Sequence, residues 1–381
     1  MRFIFIGTVI IFLLASFYVA SRICRAMKMR PAWARATVWA AVILLDFSFF
    51  LTRLIGGDAV LPHRILYIIS TTWMPVVMYM TLTIGSMSLV RAVIVRITGN
   101  DPYRTPLTVR LGVIATAAIV AIGYYEATHT QEVNYDVYTT KLRKGEKIRI
   151  ALASDLHAGY AVTRKDIERL VEDINATAPD IVILAGDLID GDLLPVKKEG
   201  SLAPLSDLRA PLGTVAVMGN HEYMDDDKEA EKVLRSIDGL TLLRDEAKDA
   251  DCLHIIGRDD LSHARAYDAP RNAINSMAGA DSLFTVVIDH QPGALDDAED
   301  IGADLILCGH THGGQIWPMN FATKTIYDID HGLGCYGSMC AVVTSGFGTW
   351  GPRMRIGTHS EVVVIDVIGT AETKSGEEAK I

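Results

Sequence analysis

Residues 3–21 carry no charged side chain and are bounded by Arg2 and Arg22. A helix of that length, at about 1.5 Å per residue, reaches across roughly 30 Å of hydrocarbon. Three further runs share this character. Residues 36–55 are apolar but for Asp46 and, near the end, Arg53. Residues 65–90 are uncharged with Pro75 inside, and residues 107–125 hold only Arg110, close enough to one end to snorkel. Backbone groups find no water in lipid, so each run is predicted to be a helix. Residues 1–128 are therefore expected to form a membrane domain of four transmembrane helices (about 3–21, 36–55, 65–90 and 107–125). No small-residue cleavage site follows the first run, which argues against a removed leader. Asp46 is expected to face another helix, although intramembrane acids are often functional.

Charge divides the chain at the same place. Residues 1–125 hold 12 Lys/Arg and 3 Asp/Glu, a formal +9; residues 126–381 hold 24 and 43, a formal −19. An acidic second part excludes a broad nucleic-acid surface, which needs clustered cations. In the first part, Arg22, Arg25, Lys28, Arg30 and Arg35 lie in loop one, and Arg91, Arg96, Arg104 and Arg110 around loop three. Loop two has only Arg53 and Arg64 at its edges. Positive loops stay in the cytoplasm. Four crossings of an inner (plasma) membrane then place both termini, and the globular part, on the extracytoplasmic side. Lys141, Arg143, Lys144, Lys147 and Arg149 after the fourth run pull the other way.

The second part, residues 129–368, reads as strands alternating with helices. Residues 133–140 and 148–154 look like two strands around a turn, and residues 181–185, 214–218, 284–288 and 305–308 like short buried strands. Thr163 with Asp166 three residues on suggests a capping box, followed by a stripe of Ile167, Leu170, Val171 and Ile174 at helical spacing. Helical patterns also surround residues 229–237 and 294–301, and residues 361–367 read as a last strand. This alternation predicts an α/β domain with a largely parallel sheet. Residues 369–381 are polar and expected to be a disordered tail. The five cysteines fit neither a disulfide scaffold nor a zinc ribbon. Spacing leaves open whether Cys335 and Cys340 pair.

Five short segments follow the ends of apolar strands: Asp155-Leu156-His157, Gly186-Asp187, Gly219-Asn220-His221-Glu222, Asp289-His290 and Gly309-His310-Thr311-His312. Carboxyl ends of strands are where ligands gather in open α/β sheets. The segments offer oxygen and imidazole donors without thiolate, a set suited to Mn, Fe, Zn or Co. In extended backbone, residues i and i+2 point the same way, so Asp155 with His157, and His310 with His312, can each present two ligands together. Any one of these pieces is commonly a plain loop. All five in one chain, each behind an apolar strand, point to a metal site.

Together these segments resemble the calcineurin-like metallophosphoesterase family over roughly residues 147–367. The membrane-attached, bacterial-type branch is the nearest likeness, through His312-Gly313-Gly314-Gln315 and through Ser345-Gly346-x-Gly348 followed by Pro352-Arg353-x-Arg355. The resemblance implies a four-layer α/β sandwich, two mixed sheets flanked by helices. It implies two divalent metal ions, with Asp155, His157 and His312 on the first, Asn220, His290 and His310 on the second, and Asp187 bridging. A hydroxide activated between two ions would attack phosphorus, and catalytic His221 would protonate the leaving oxygen. Asn220, His221 and Arg355 (or Arg353) are the implied substrate contacts, an arginine offering a guanidinium fork to phosphate. Glu222 supports His221 or is a surface carboxylate. His254, His263, His331 and His359 lack strand-end partners and are expected not to be ligands. Trp317, Phe347 and Trp350 line a lipid-facing or substrate groove, or pack in the core.

The expected substrate is a phosphoester, lipid-linked or envelope-associated, because a membrane tether raises its local concentration. A non-catalytic sensor or scaffold that keeps the fold is the alternative. It predicts damaged ligand positions, and none is seen.

Overall fold

The computed structural model describes residues 2–26, 31–51, 59–101, 105–268 and 270–371. The chain divides into two units. One comprises the residues up to Tyr125 with Gly351–Met354; the other comprises Glu126–Trp350 and the residues from Arg355 on.

The first unit is helical: α1 (Arg2–Ala26), α2 (Ala32–Asp46), α3 (Ser48–Leu51), α4 (Val60–Thr98) and α5 (Thr105–Thr128). Among the described residues three helices are long and apolar enough to cross a membrane: Ile6–Ala26, Val60–Thr98 and Thr105–Thr128. The expectation of four such helices is therefore corrected. The second run starts earlier, at Ala32, and breaks at Phe47, where φ −96° and ψ 0° leave the helical region. The Ser48 hydroxyl donates to the Leu45 carbonyl at 2.6 Å, a local bond that competes with the continuing ladder. Residues 52–55 of that run lie outside the described residues. Asp46, directly before the break, accepts from Ser16 Oγ of α1 at 2.8 Å and from Trp73 Nε1 of α4 at 2.7 Å. A carboxyl in an apolar unit thus faces two neighbouring helices.

The second unit holds twelve described strands in two six-stranded sheets. In chain order they are β1 (Gln131–Thr139), β2 (Lys147–Ala153), β3 (Ile181–Ala185), β4 (Thr214–Val217), β5 (Leu240–Leu242) and β6 (Glu246–Ala250). They continue with β7 (Leu253–Gly257), β8 (Phe284–Ile288), β9 (Leu305–Cys308), β10 (Gly332–Tyr336), β11 (Met339–Val343) and β12 (Glu361–Gly369). The first sheet runs β1-β12-β2-β3-β4-β5, and the second β10-β11-β9-β8-β7-β6. The middle of each is parallel, β2 to β5 in one and β7, β8, β9 and β11 in the other, while antiparallel pairs make the sheets mixed. Residues 133–140 and 148–154 do not pair with each other: β12 lies between β1 and β2. Its run of buried Val and Ile supplies a strand that is covered on both sides. Gly369 closes β12, so the segment expected to be disordered begins after it; residues 372–381 lie outside the described residues.

Period-two alternation builds the layers. In β3, Ile181, Ile183 and Ala185 face the space between the sheets, with Ile150, Leu152, Val286, Ile288 and Leu305. Val182 and Leu184 face out, against Ile167, Leu170, Val171 and Ile174 of α6 (Arg164–Ala176). On the far side, Val287, Ile306 and Cys308 meet Leu295 and Ala298 of the helix at Leu295–Asp300. The order is helix, sheet, sheet, helix, the four-layer sandwich expected. The capping box also forms, with the Asp166 carboxylate accepting the Thr163 amide at 2.7 Å. Truncating any of these fully buried Leu or Ile side chains to Ala would cost about 2–5 kcal/mol.

Candidate metal centre

Every segment singled out from the sequence leaves the carboxyl end of a parallel strand. Asp155 and His157 follow β2, Asp187 follows β3, and Asn220 and His221 follow β4 in the first sheet. His290 follows β8, and His310 and His312 follow β9 in the second. Stacking the sheets brings both sets of loops together. Asp155, His157 and His290 are fully buried, and Asp187, His221 and His312 nearly so.

Three groups of donors result, and the third, His157 with Asp187 and His221, overlaps the other two. In the first, His312 Nε2 lies 3.1 Å from His157 Nε2 and 3.4 Å from Asp155 Oδ1, and His157 Nε2 lies 3.8 Å from Asp155 Oδ1. In the second, His290 Nε2 lies 3.1 Å from Asp187 Oδ2 and 3.2 Å from Asn220 Oδ1, with a His310 nitrogen within 4.8 Å of the Asp187 and His290 donor atoms. Bonds of about 2.0–2.2 Å to one ion put neighbouring donor atoms roughly 3–3.5 Å apart. The separations of 3.1–3.4 Å found in each of the first two groups fit that spacing, so these residues could hold metal ions. Asp187 belongs to the second group and reaches the first, with Oδ2 also 3.9 Å from His157 Nε2.

The backbone is bent to achieve this. Asp155, His157, Asp187, His310 and His312 all have left-handed φ, between 49° and 71°. Each such non-glycine residue costs about 1–2 kcal/mol, and strain of this kind collects at functional sites. Glycine is required where the loops cross. A Cβ on Gly219 would stand 2.3 Å from Asp187 Oδ1, and one on Gly309 2.0 Å from Ser154 Oγ and 2.3 Å from Asp155 Oδ2.

Second-row contacts fix the donors. His290 Nδ1 faces the Ala185 carbonyl at 2.8 Å, leaving Nε2 for the centre. Asp155 accepts the His310 amide with both oxygens, at 3.0 and 3.1 Å. Glu222 is no surface carboxylate: it is buried and accepts the amides of Gly219 (2.7 Å), Ile189 (2.9 Å) and Asp187 (3.2 Å). It pins two site loops rather than contacting the His221 ring. Burial, then the neighbouring Asp187 charge, pushes its pKa up to about 7. His221 lies beside the centre, its Nδ1 3.5 Å from Asp190 Oδ1, and Asp190 Oδ1 is also 3.3 Å from His157 Nδ1. Burial works against a charged His221, but Asp190 and Asp187 outweigh it and raise its pKa above the usual value.

Arg355 is not placed where a substrate would meet it. It is fully buried, and its Nη2 donates to the carbonyls of Gly348 (2.6 Å), Ser345 (2.7 Å) and Gly346 (2.8 Å). That loop lies along the first group, with Gly348 N donating to Asp155 O at 2.8 Å. Burial lowers the Arg355 pKa to about 10. His254 is held by Asp249 and the Met277 carbonyl, and His331 lies 3.3 Å from Glu361; among the described residues neither belongs to a donor group. The sequence reading passed over Asp190, Glu361 and the Gln315–Trp350 contact. Asp190 was the most accessible of these, three residues after Asp187 on the same loop.

Residues 148–314 match the family model described as calcineurin-like phosphoesterase. An uncharacterized metallophosphoesterase of Campylobacter jejuni is 31% identical over 262 residues, 68% of each chain. One from Aquifex aeolicus is 30% identical over 258 residues, covering 65% of this chain and 96% of that one. A transmembrane protein with metallophosphoesterase domain from Danio rerio is 29% identical over 271 residues, covering 67% of this chain and 61% of that one. With the strand-end donors in place, the chain belongs to the calcineurin-like metallophosphoesterase family, the phosphoester hydrolases.

Proposed function

We propose that this protein is a membrane-anchored, metal-dependent phosphoester hydrolase acting on a lipid-linked or envelope-associated substrate. The observation that carries the reading is the two donor groups sharing Asp187. Asp155, His157 and His312 would hold one divalent ion, and Asn220, His290 and His310 the other. Mn, Fe, Zn and Co all suit these donors. When bound, a pair of such ions lowers the pKa of a water and neutralises charge on the phosphoryl oxygens.

The chain's own residues do the rest. Asp187 keeps the two donor groups in register. Glu222 and Arg355 are positioning residues, one for the amides of the Asp187 and Asn220 loops, the other for the loop against Asp155. His221, whose pKa Asp190 and Asp187 raise against the effect of burial, would donate a proton to the leaving oxygen. Asn220 contributes an amide to the substrate side.

Three helices of spanning length support membrane attachment. We place the catalytic domain on the extracytoplasmic side. The Lys/Arg bias of loop one and of the region around loop three supports this placement.

Purified full-length protein supplied with Mn²⁺ should hydrolyse an aryl phosphodiester or monoester, and chelation should abolish turnover. Activity that survives complete metal removal would refute the reading.

A further inference from the structure

The rim of the site beside His221 is apolar. The Trp350 ring lies 6.0 Å from the His221 ring, edge-on at 79°, and Trp350 is 59% exposed. Its position is fixed from the His312 side of the site. Gln315 Nε2 donates to the Trp350 carbonyl at 2.9 Å, and the Trp350 amide donates to Gln315 Oε1 at 3.0 Å. The strap that continues from Gln315 carries Trp317, Met319, Phe321 and Ile326, with exposures from 43% to 69%. The helix within it, Asn320–Ile326, buries none of its residues. The strap is tied back to the same region by Trp317 N, which donates to Ile356 O at 2.8 Å. Scattered exposed apolar residues need no explanation, but five on two segments stitched together at a reaction centre do.

Resting on the hydrolase reading above, we infer that Trp350 and the Trp317–Ile326 strap form the leaving-group subsite, and that this subsite takes an alkyl or acyl chain. The argument is one of position and chemistry. In the hydrolase reading above the leaving group departs on the His221 side of the site, where the neighbour is an indole. A sugar or nucleobase brings several polar edges, and these five side chains offer only two indole N–H groups to meet them. Met319 and Ile326 add aliphatic surface with no stacking face. A hydrocarbon chain gains by leaving water at every methylene it lays on such a surface. The substrate class is an amphiphile: a phosphoryl group at the metal centre, with a hydrophobic alcohol as the leaving group.

The test measures binding, separately from turnover. Full-length protein kept in amphipol without free micelles, loaded with Mn²⁺, is titrated calorimetrically with methyl-, butyl- and octylphosphonate. Kd should fall by on the order of 10-fold or more from methyl to octyl, a fraction of what full burial of the added methylenes would give. Trp350→Ala and, separately, Trp317→Ser should lose most of that chain-length dependence, and Trp350→Phe should keep it. Trp317 is partly exposed, so its variant keeps the test informative where Trp350→Ala disturbs folding. No binding, a flat series in the wild type, or an unchanged slope in both variants would overturn the subsite. Loss of the hydrolase reading shows differently, as absent metal-dependent turnover of aryl esters, and a chain-length slope found alongside it would still uphold an apolar subsite.

Discussion

Asp187 holds the backbone of His221 with one oxygen and faces His290 with the other: Oδ1 accepts the His221 amide at 2.8 Å, and Oδ2 lies 3.1 Å from His290 Nε2. One carboxylate therefore sets both the donor geometry and the place of the proposed proton donor. Asparagine keeps the size but has a single acceptor oxygen and no charge. Asp187→Asn should drop bound metal, measured by elemental analysis, to one ion per chain or fewer. It should lower kcat on aryl esters by roughly 10²–10³-fold or more, the scale of losing one preorganised electrostatic contact. A fully active, fully metallated variant would show that Asp187 does not bridge.

His221 contributes no atom to either donor group in the proposed assignment. His221→Ala should keep its metal and lose roughly 10²–10⁴-fold in kcat, the usual contribution of general acid catalysis. The loss should be smaller with p-nitrophenol as leaving group, which departs without a proton, than with an alkyl alcohol. An equal loss for both would remove the general-acid role and leave a positioning one.

Glu361 supplies a pH test away from the metal donors. Burial disfavours its charge, but His331, the Thr344 hydroxyl (2.7 Å) and the Ser345 amide (2.8 Å) outweigh it and lower its pKa to about 2, from 4.5. A depressed carboxyl stabilises the fold in full above its unfolded pKa and loses that contribution as pH falls, here between about 4.5 and about 2. The shift corresponds to about 3 kcal/mol. Its partner His331 is raised, so the histidine's contribution is present below its ordinary value of 6.5 and fades as pH rises through the raised one. The pair is strongest between about pH 4.5 and 6.5. Denaturant titrations of wild type and Glu361→Gln should converge at acid pH, with the wild type more stable above 4.5. Parallel curves across the whole range would mean that Glu361 carries no such linkage.

The strand-end positions of the seven proposed donors were legible in the sequence because each is fixed locally, by a short apolar strand and the residues at its end. The four layers followed from the alternation of strands and helices. What stayed hidden depends on contacts between loops far apart in the chain. Glu222 caps amides more than 30 residues away, and Arg355 is buried by a loop that precedes it. A charged side chain read along the sequence looks like a surface group, and only the fold shows that backbone carbonyls surround it. The pairing of β1 with β12 was hidden for the same reason, since a strand from the far end of the domain displaces the nearer partner.

Placement of the catalytic domain across the membrane can be read with paired C-terminal reporters. An alkaline phosphatase fusion, active only outside the cytoplasm, should be active. A green fluorescent protein fusion, which fluoresces only in the cytoplasm, should be dark. The reverse pattern would put the domain inside.

The break at Phe47 bears on that outcome through parity. If residues 32–51 cross, the crossings are even in number and the two ends of the chain share one aqueous phase; if they turn back, the count is odd and the ends are separated. Asp46, held by Ser16 and Trp73 directly before the break, stands at the junction. In the proposed reading, one turn of backbone in the membrane unit would decide which compartment's phosphoesters the catalytic domain meets.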